Sequence, residues 1–153
     1  MREVTMSDCD VVTERIFDAP RERVFRAFSD PSILARWWGP DGFTNTFKVF
    51  DFEPGGLWKF TMHGPDGVNY PNESVFSLIR RPERIEFDHV LGTPFKAIFA
   101  FIEQEGKTLL HWTMRFPSAE TCAKLREFVT HANGENLDRL EEQLVRMDGR
   151  TPP

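Results

Sequence analysis

Residues 118–147 read SAETCAKLREFVTHANGENLDRLEEQLVRM, the longest stretch of helical pattern in the chain. Leu125, Val129, Ala132, Asn136, Leu140, Leu144 and Met147 recur at steps of three and four, which sets them along one stripe of a helix. Ser118 is expected to cap the start of that helix and Gly149 to stop it. The stripe is apolar at both ends and polar in the middle, where Asn133 and Asn136 lie with Gly134 between them. Two readings follow. Either the helix kinks or breaks at Gly134 and the asparagines cap its second half, or its middle faces a cavity rather than packed side chains.

Everything upstream reads as short strands that need a cover. Residues 11–17 (VVTERIF) form a first strand, ended by Asp18-Ala19-Pro20. Two short helices are expected next. Pro20 and Glu22 suit the start of the first, and Asp30-Pro31 caps the second. Leu34, Trp37 and Trp38 lie on the inner side of the second helix, and Gly39-Pro40 ends it. From Phe43 the period changes to two, with Phe43, Asn45, Phe47 and Val49 on one side of a strand over residues 43–52. Further strands are expected over residues 58–63, 73–79, 85–91, 95–101 and 110–116, separated by turns rich in Gly and Pro. Tight turns imply antiparallel neighbours, so the expectation is a seven-stranded antiparallel sheet covered by the C-terminal helix, an α+β fold.

A chain of 153 residues fits one domain, here 1–153 with flexible ends at about 1–9 and 148–153. At that length a core needs no metal or disulfide staple. The net charge of -5 disfavours nucleic acid as a partner. No apolar run reaches the roughly 18 residues of a membrane span. Cys9 and Cys122 fall in no motif, and the N-terminal residues are polar, so a cytoplasmic protein with free thiols is expected. Fifteen Phe stand against one Tyr, with four Trp, a supply of rings mostly without hydroxyl groups that suits a dry wall.

The runs Phe17-Asp18-Ala19-Pro20-Arg21-Glu22-Arg23-Val24-Phe25, Trp37-Trp38-Gly39-Pro40, Pro54-Gly55-Gly56-Leu57-Trp58, residues 67–71, Pro82-Glu83-Arg84-Ile85 and Leu137-Asp138-Arg139-Leu140 resemble, in order and spacing, the AHSA1-type branch of the SRPBCC superfamily. That branch is similar to the C-terminal domain of the activator of the heat-shock protein 90 ATPase, and its wider group includes START lipid-transfer domains, birch-pollen-allergen-type proteins and polyketide cyclases. The resemblance covers residues 11–147 or nearly so. It implies a helix-grip fold with an apolar pocket between a curved sheet and a long helix. Fold alone does not set function.

The four histidines, His63, His89, His111 and His131, form no metal-binding motif, and no metal or cofactor is expected. His89 falls on an inner strand face between Phe87 and Leu91, as a hydrogen-bonded core residue or, in a cavity, as a general base. Glu73 and Tyr70 are polar candidates at a strand mouth, with Glu73 either a solvated turn residue or an acid of raised pKa. The expected pocket residues are Trp37, Trp58, Phe60, Met62, Tyr70, Phe87, His89, Phe99, Phe101, Trp112, Met114, Val129, Asn133 and Asn136. The leading expectation is a protein that binds a small hydrophobic, aromatic or lipid-like molecule. A cyclase- or hydrolase-like enzyme using His89 or Glu73 and a co-chaperone-like interaction module are the alternatives. A homodimer is allowed by this reading.

Overall fold

Alternation becomes strand and triplet spacing becomes helix in the computed structural model, which describes residues 9–147. In chain order the elements are β1 (Asp10–Phe17), α1 (Arg21–Ser29), α2 (Pro31–Trp37), β2 (Thr44–Phe50), β3 (Leu57–His63), β4 (Asn69–Arg80), β5 (Arg84–His89), β6 (Phe95–Gln104), β7 (Lys107–Arg115) and α3 (Ala119–Met147). The seven described strands pair antiparallel in the order β1-β7-β6-β5-β4-β3-β2, so the sheet is open with β1 and β2 as its edges. This is the helix-grip α+β fold. Strands β2 to β7 are sequential hairpins. β1 and β2 stand at opposite edges, so α1 and α2 must carry the chain across the inner face. There α1 packs on β6 and β7, α2 on β2, and α3 on β1 and both short helices.

The helix starts follow from their caps. Asp30 accepts the backbone N–H of Ser32 at 3.0 Å and Pro31 opens α2. Ser118 Oγ accepts the N–H of Thr121 at 3.1 Å at the head of α3. That helix then runs 29 residues without a break at Gly134, so the kinked reading is set aside. Gly149, expected to stop the helix, lies outside the described residues, as do the chain ends apart from Cys9.

Three strand details differ from expectation. β2 and β3 shift register between Phe47 and Val49, which leaves Val49 exposed and turns Phe50 toward the core. A bulge breaks strict alternation in this way. β4 begins at Asn69 rather than Glu73, because residues 69–73 pair with β3, with Glu73 opposite Lys59. β5 stops at His89, and Leu91 lies exposed in the following turn.

Half of the inner face is filled by α1 and α2. Phe25 and Phe28 meet Phe101 edge-on at 5.3 and 5.1 Å, and Phe28 meets Phe99 at 4.9 Å. Trp37 packs against Phe28 and donates its indole N–H to the carbonyl of Ala27 at 3.0 Å.

Gly134 itself has no steric reason to be glycine, since a methyl group there would meet nothing within 4 Å outside its own helical turns. Replacing it with alanine removes the backbone-entropy cost of a mid-helix glycine, about 1 kcal/mol. Gly134→Ala is therefore expected to raise the melting temperature by roughly 2–4 °C, read by circular dichroism. A lower melting temperature would show that this turn of α3 needs glycine for another reason.

Candidate functional site

Where α3 crosses the far half of the sheet, the two surfaces present short side chains to each other. Ala132, Asn133 and Asn136 of α3 lie on one wall, and Ser74 of β4 and Ala97 of β6 on the other. Short residues opposite short residues leave space, here a hollow of about 220 Å³. Its rings and thioethers come from β3 (Trp58, Phe60, Met62), β5 (Phe87), β6 (Phe95) and β7 (Trp112, Met114). Val129 adds to the helix wall, and Phe128, 69% exposed, stands at the rim. Asn72 and His89 complete the sheet side, and Trp38, Gly39 and Pro40 close the end. No Asp, Glu, Lys or Arg among the described residues lines the space.

The Trp38 end is held by α3. Arg139 Nη1 donates to the carbonyls of Gly39 at 2.8 Å, Pro40 at 3.0 Å and Trp38 at 3.4 Å. Its Nη2 donates to those of Arg36 and Phe43, both at 3.0 Å. One turn back, Asn136 Oδ1 accepts the N–H of Gly39 at 3.1 Å. Asn45 Nδ2 adds a bond to the Trp38 carbonyl at 2.8 Å. Gly39 has φ 105, a backbone conformation that favours glycine, and a side chain there would also press on the flexible end of Met62 at 2.8 Å. Burial lowers the pKa of Arg139, an effect opposed by Asp41 and Glu142, but a guanidinium remains charged. Trp38, fixed by these bonds, meets five other rings: Trp37, Trp58, Phe87, Phe99 and Trp112, at 5.4 to 6.3 Å between centroids.

Ten of the expected residues come together here: Trp58, Phe60, Met62, Phe87, His89, Trp112, Met114, Val129, Asn133 and Asn136. Four do not. Trp37 is turned into the core beside Ala27, and its neighbour Trp38, the residue just past the last helical turn, takes the place expected of it. Phe99 and Phe101 are buried beneath α1. Tyr70 is 42% exposed and rests near Phe43. Glu73 lies in mid-strand and off the hollow, because the inner face of β4 there carries Asn72 and Ser74 instead. Gly39, Pro40, Ser74, Ala97 and Ala132 carry no chemical signal in the sequence. They matter through size and place.

Polar capacity around the hollow is uneven. Asn133 Nδ2 donates to Thr13 Oγ1 at 3.3 Å and contacts Met114 Sδ at 3.5 Å. The indole nitrogens of Trp58 and Trp112 are buried without an acceptor among the described residues. His89 stacks on Phe95 at 4.8 Å, and no carboxylate among the described residues pairs with its ring. Among the described residues, no group of three His, Cys, Asp or Glu side chains converges as a metal site would require.

An open antiparallel sheet closed by its C-terminal helix over a ring-lined hollow defines a helix-grip domain. The chain belongs to the AHSA1 family, whose model, described as Activator of Hsp90 ATPase homolog 1-like protein, matches residues 18–144. That places it in the AHSA1 branch of the SRPBCC superfamily. No curated protein matches the chain. Among solved structures, a protein of Nitrosomonas europaea is similar at TM-score 0.85 and 19% identity, covering 95% of this chain and 99% of that one. A protein of Arthrobacter aurescens is similar at TM-score 0.85 and 25% identity, covering 94% and 90%. The AHSA1 protein of Silicibacter pomeroyi is similar at TM-score 0.73 and 22% identity, covering 90% and 99%. These likenesses concern the fold.

Two outcomes follow from this geometry. Lysine keeps the charge of Arg139 but cannot reach five carbonyls as a planar fork does. Arg139→Lys is expected to cost roughly 2–3 kcal/mol of stability, measured by urea denaturation, since it strands partly buried acceptors. A loss under about 0.5 kcal/mol, the scatter of ordinary surface changes, would show that the loop holds without the fork. Burial also lowers the pKa of His89, with its backbone contact to Leu91 opposing the shift. A depressed folded-state pKa means that stability is full above the unfolded value of roughly 6.5 and is lost as pH falls through the folded value. His89→Gln is expected to flatten the acid side of the stability–pH curve, and an unchanged curve would remove His89 as its source.

Proposed function

We propose that the protein binds a compact, largely apolar molecule in the hollow between sheet and α3. The observation that carries this reading is the uncharged, ring-rich lining of a space of about 220 Å³. An engineered apolar cavity of about 150 Å³ accepts benzene, and drug-sized ligands occupy about 300–1,000 Å³. The space therefore suits one ring or two fused rings. A two-chain lipid is too large for it. Binding fits better than acid–base catalysis, because His89 stands without a carboxylate partner and Glu73 is off the site. Both described cysteines are free thiols, in keeping with the cytoplasmic setting that forms part of this reading. Among the described residues, no helix is long and apolar enough to cross a membrane.

Native mass spectrometry of protein purified from its own host is expected to show a co-purified small molecule. In a thermal-shift panel of one- and two-ring compounds, a ligand at a hundred times its Kd is expected to raise the melting temperature by roughly 5–10 °C. Ala132→Phe fills the hollow from the helix side. It is expected to abolish that shift while changing the stability of the empty protein by less than about 1.5 kcal/mol. An empty native protein together with a flat panel would end this reading.

A further inference from the structure

α3 is bonded along two of its borders and free along a third. Toward β1, Arg126 donates to the carbonyl of Asp10 at 3.0 Å and Asn133 to Thr13 Oγ1 at 3.3 Å, and Asp138 meets Arg15 at 2.7 Å. Toward the loop after α2, Glu135 accepts the backbone N–H of Asp41 at 3.1 Å, beside the bonds of Asn136 and Arg139. Toward β3, β4, β5 and β6, no hydrogen bond or ion pair holds the helix among the described residues. Phe128 and, one turn on, Ala132 face the hollow on that border. Phe128 lines the hollow and is also 69% exposed, so the hollow reaches the surface at this ring.

The surface outside is apolar as well. The stacked pair His89 and Phe95 lines the hollow and also an open cleft of about 480 Å³ where β5 ends, β6 starts and β7 ends. Val90, Pro94, Phe116 and Pro117 supply most of the remaining cleft wall. Its two charged members are already paired, Asp88 with Lys96 at 3.3 Å and Arg115 with Asp10 at 3.0 Å. An exposed phenyl ring at the mouth of a ring-lined space, next to a second apolar surface, is stabilised by anything apolar that covers both. The hollow, at about 220 Å³, holds a ring and little more.

We propose, resting on the binding role inferred above, that the occupant is a neutral alkyl-substituted aromatic molecule whose ring fills the hollow and whose chain leaves past Phe128 to lie over the His89–Phe95 stack in the outer cleft. A charged chain end would find both cleft charges engaged and gain no partner there.

The test titrates the full chain with ethylbenzene and with hexylbenzene. Trp38, Trp58 and Trp112 line the hollow, so tryptophan fluorescence reads its occupancy. Full burial of a methylene is worth about fourfold in affinity, and a chain covered on one side is expected to gain about twofold for each. Hexylbenzene, four methylenes longer, is therefore expected to bind roughly fifteenfold more tightly. In the 13C-labelled chain, isotope-filtered NOEs are expected from the phenyl protons to Ala97 and Trp112, and from the terminal methyl to Phe128 and Phe116. Hexylbenzene binding no tighter than ethylbenzene, terminal-methyl NOEs that miss Phe128 and Phe116, or phenyl NOEs to Phe116 would each overturn the proposed exit, while binding of ethylbenzene would keep the hollow as a binding site. Failure of both compounds to bind would overturn the exit and the binding reading together.

Discussion

One guanidinium holds the closing loop in place. The chain leaves α2 at Trp38 and reaches β2 at Thr44 by a segment whose carbonyls converge on one side chain of α3. Arg139 meets the carbonyls of Arg36, Trp38, Gly39, Pro40 and Phe43 with its two terminal nitrogens. Backbone oxygens that are partly buried need partners, and a planar cation offers several in a fixed geometry. The bond from Gly39 to Asn136 ties the same segment one helical turn earlier. The loop is thus registered on α3, and α3 in turn is tied to β1 through Arg15, which reaches Asp138 at 2.7 Å and the carbonyl of Gly134 at 3.3 Å.

With the loop fixed, Trp38 becomes the partition of the interior. On one side the rings of α1 and α2 interlock with Phe99 and Phe101 and leave little room. On the other, α3 presents Ala132 and two carboxamides toward Ser74 and Ala97, and the space stays open. Ring contacts such as those around Trp38 contribute up to about 1.5 kcal/mol each beyond area burial, so the partition is stiff as well as central. The same sheet face is therefore packed core at one end and hollow at the other. The difference lies in what covers the face: α1 and α2 pack onto it at one end, while α3 contacts β1 and the two short helices.

Asn136 joins the closing loop to the wall of the hollow. Its oxygen serves the loop and the same residue lines the hollow, so one side chain both positions the closing segment and forms part of the wall. A carboxamide on a helix stripe is an ordinary sight in sequence. Its division between two tasks depends on Gly39, ninety-seven residues away in the chain.

Residue periodicity alone determined the seven strands, the two short helices, the long C-terminal helix and the antiparallel order of the hairpins, because each of these is a local pattern of neighbours. It also singled out the polar middle of α3 and most of the ring-bearing wall, since alternation says which side chains share a face. Only the tertiary structure decided which part of that face stays open. Trp37 and Trp38 are adjacent and chemically identical, yet the last turn of α2 sends one into the core and the other over the hollow. Phe99 and Phe101 alternate correctly but lie under α1, and residues 69–73 read as a turn until β3 pairs with them. The open space itself is enclosed by residues far apart in the chain, Ala97 of β6 and Ala132 of α3 among them, a juxtaposition that no local pattern carries.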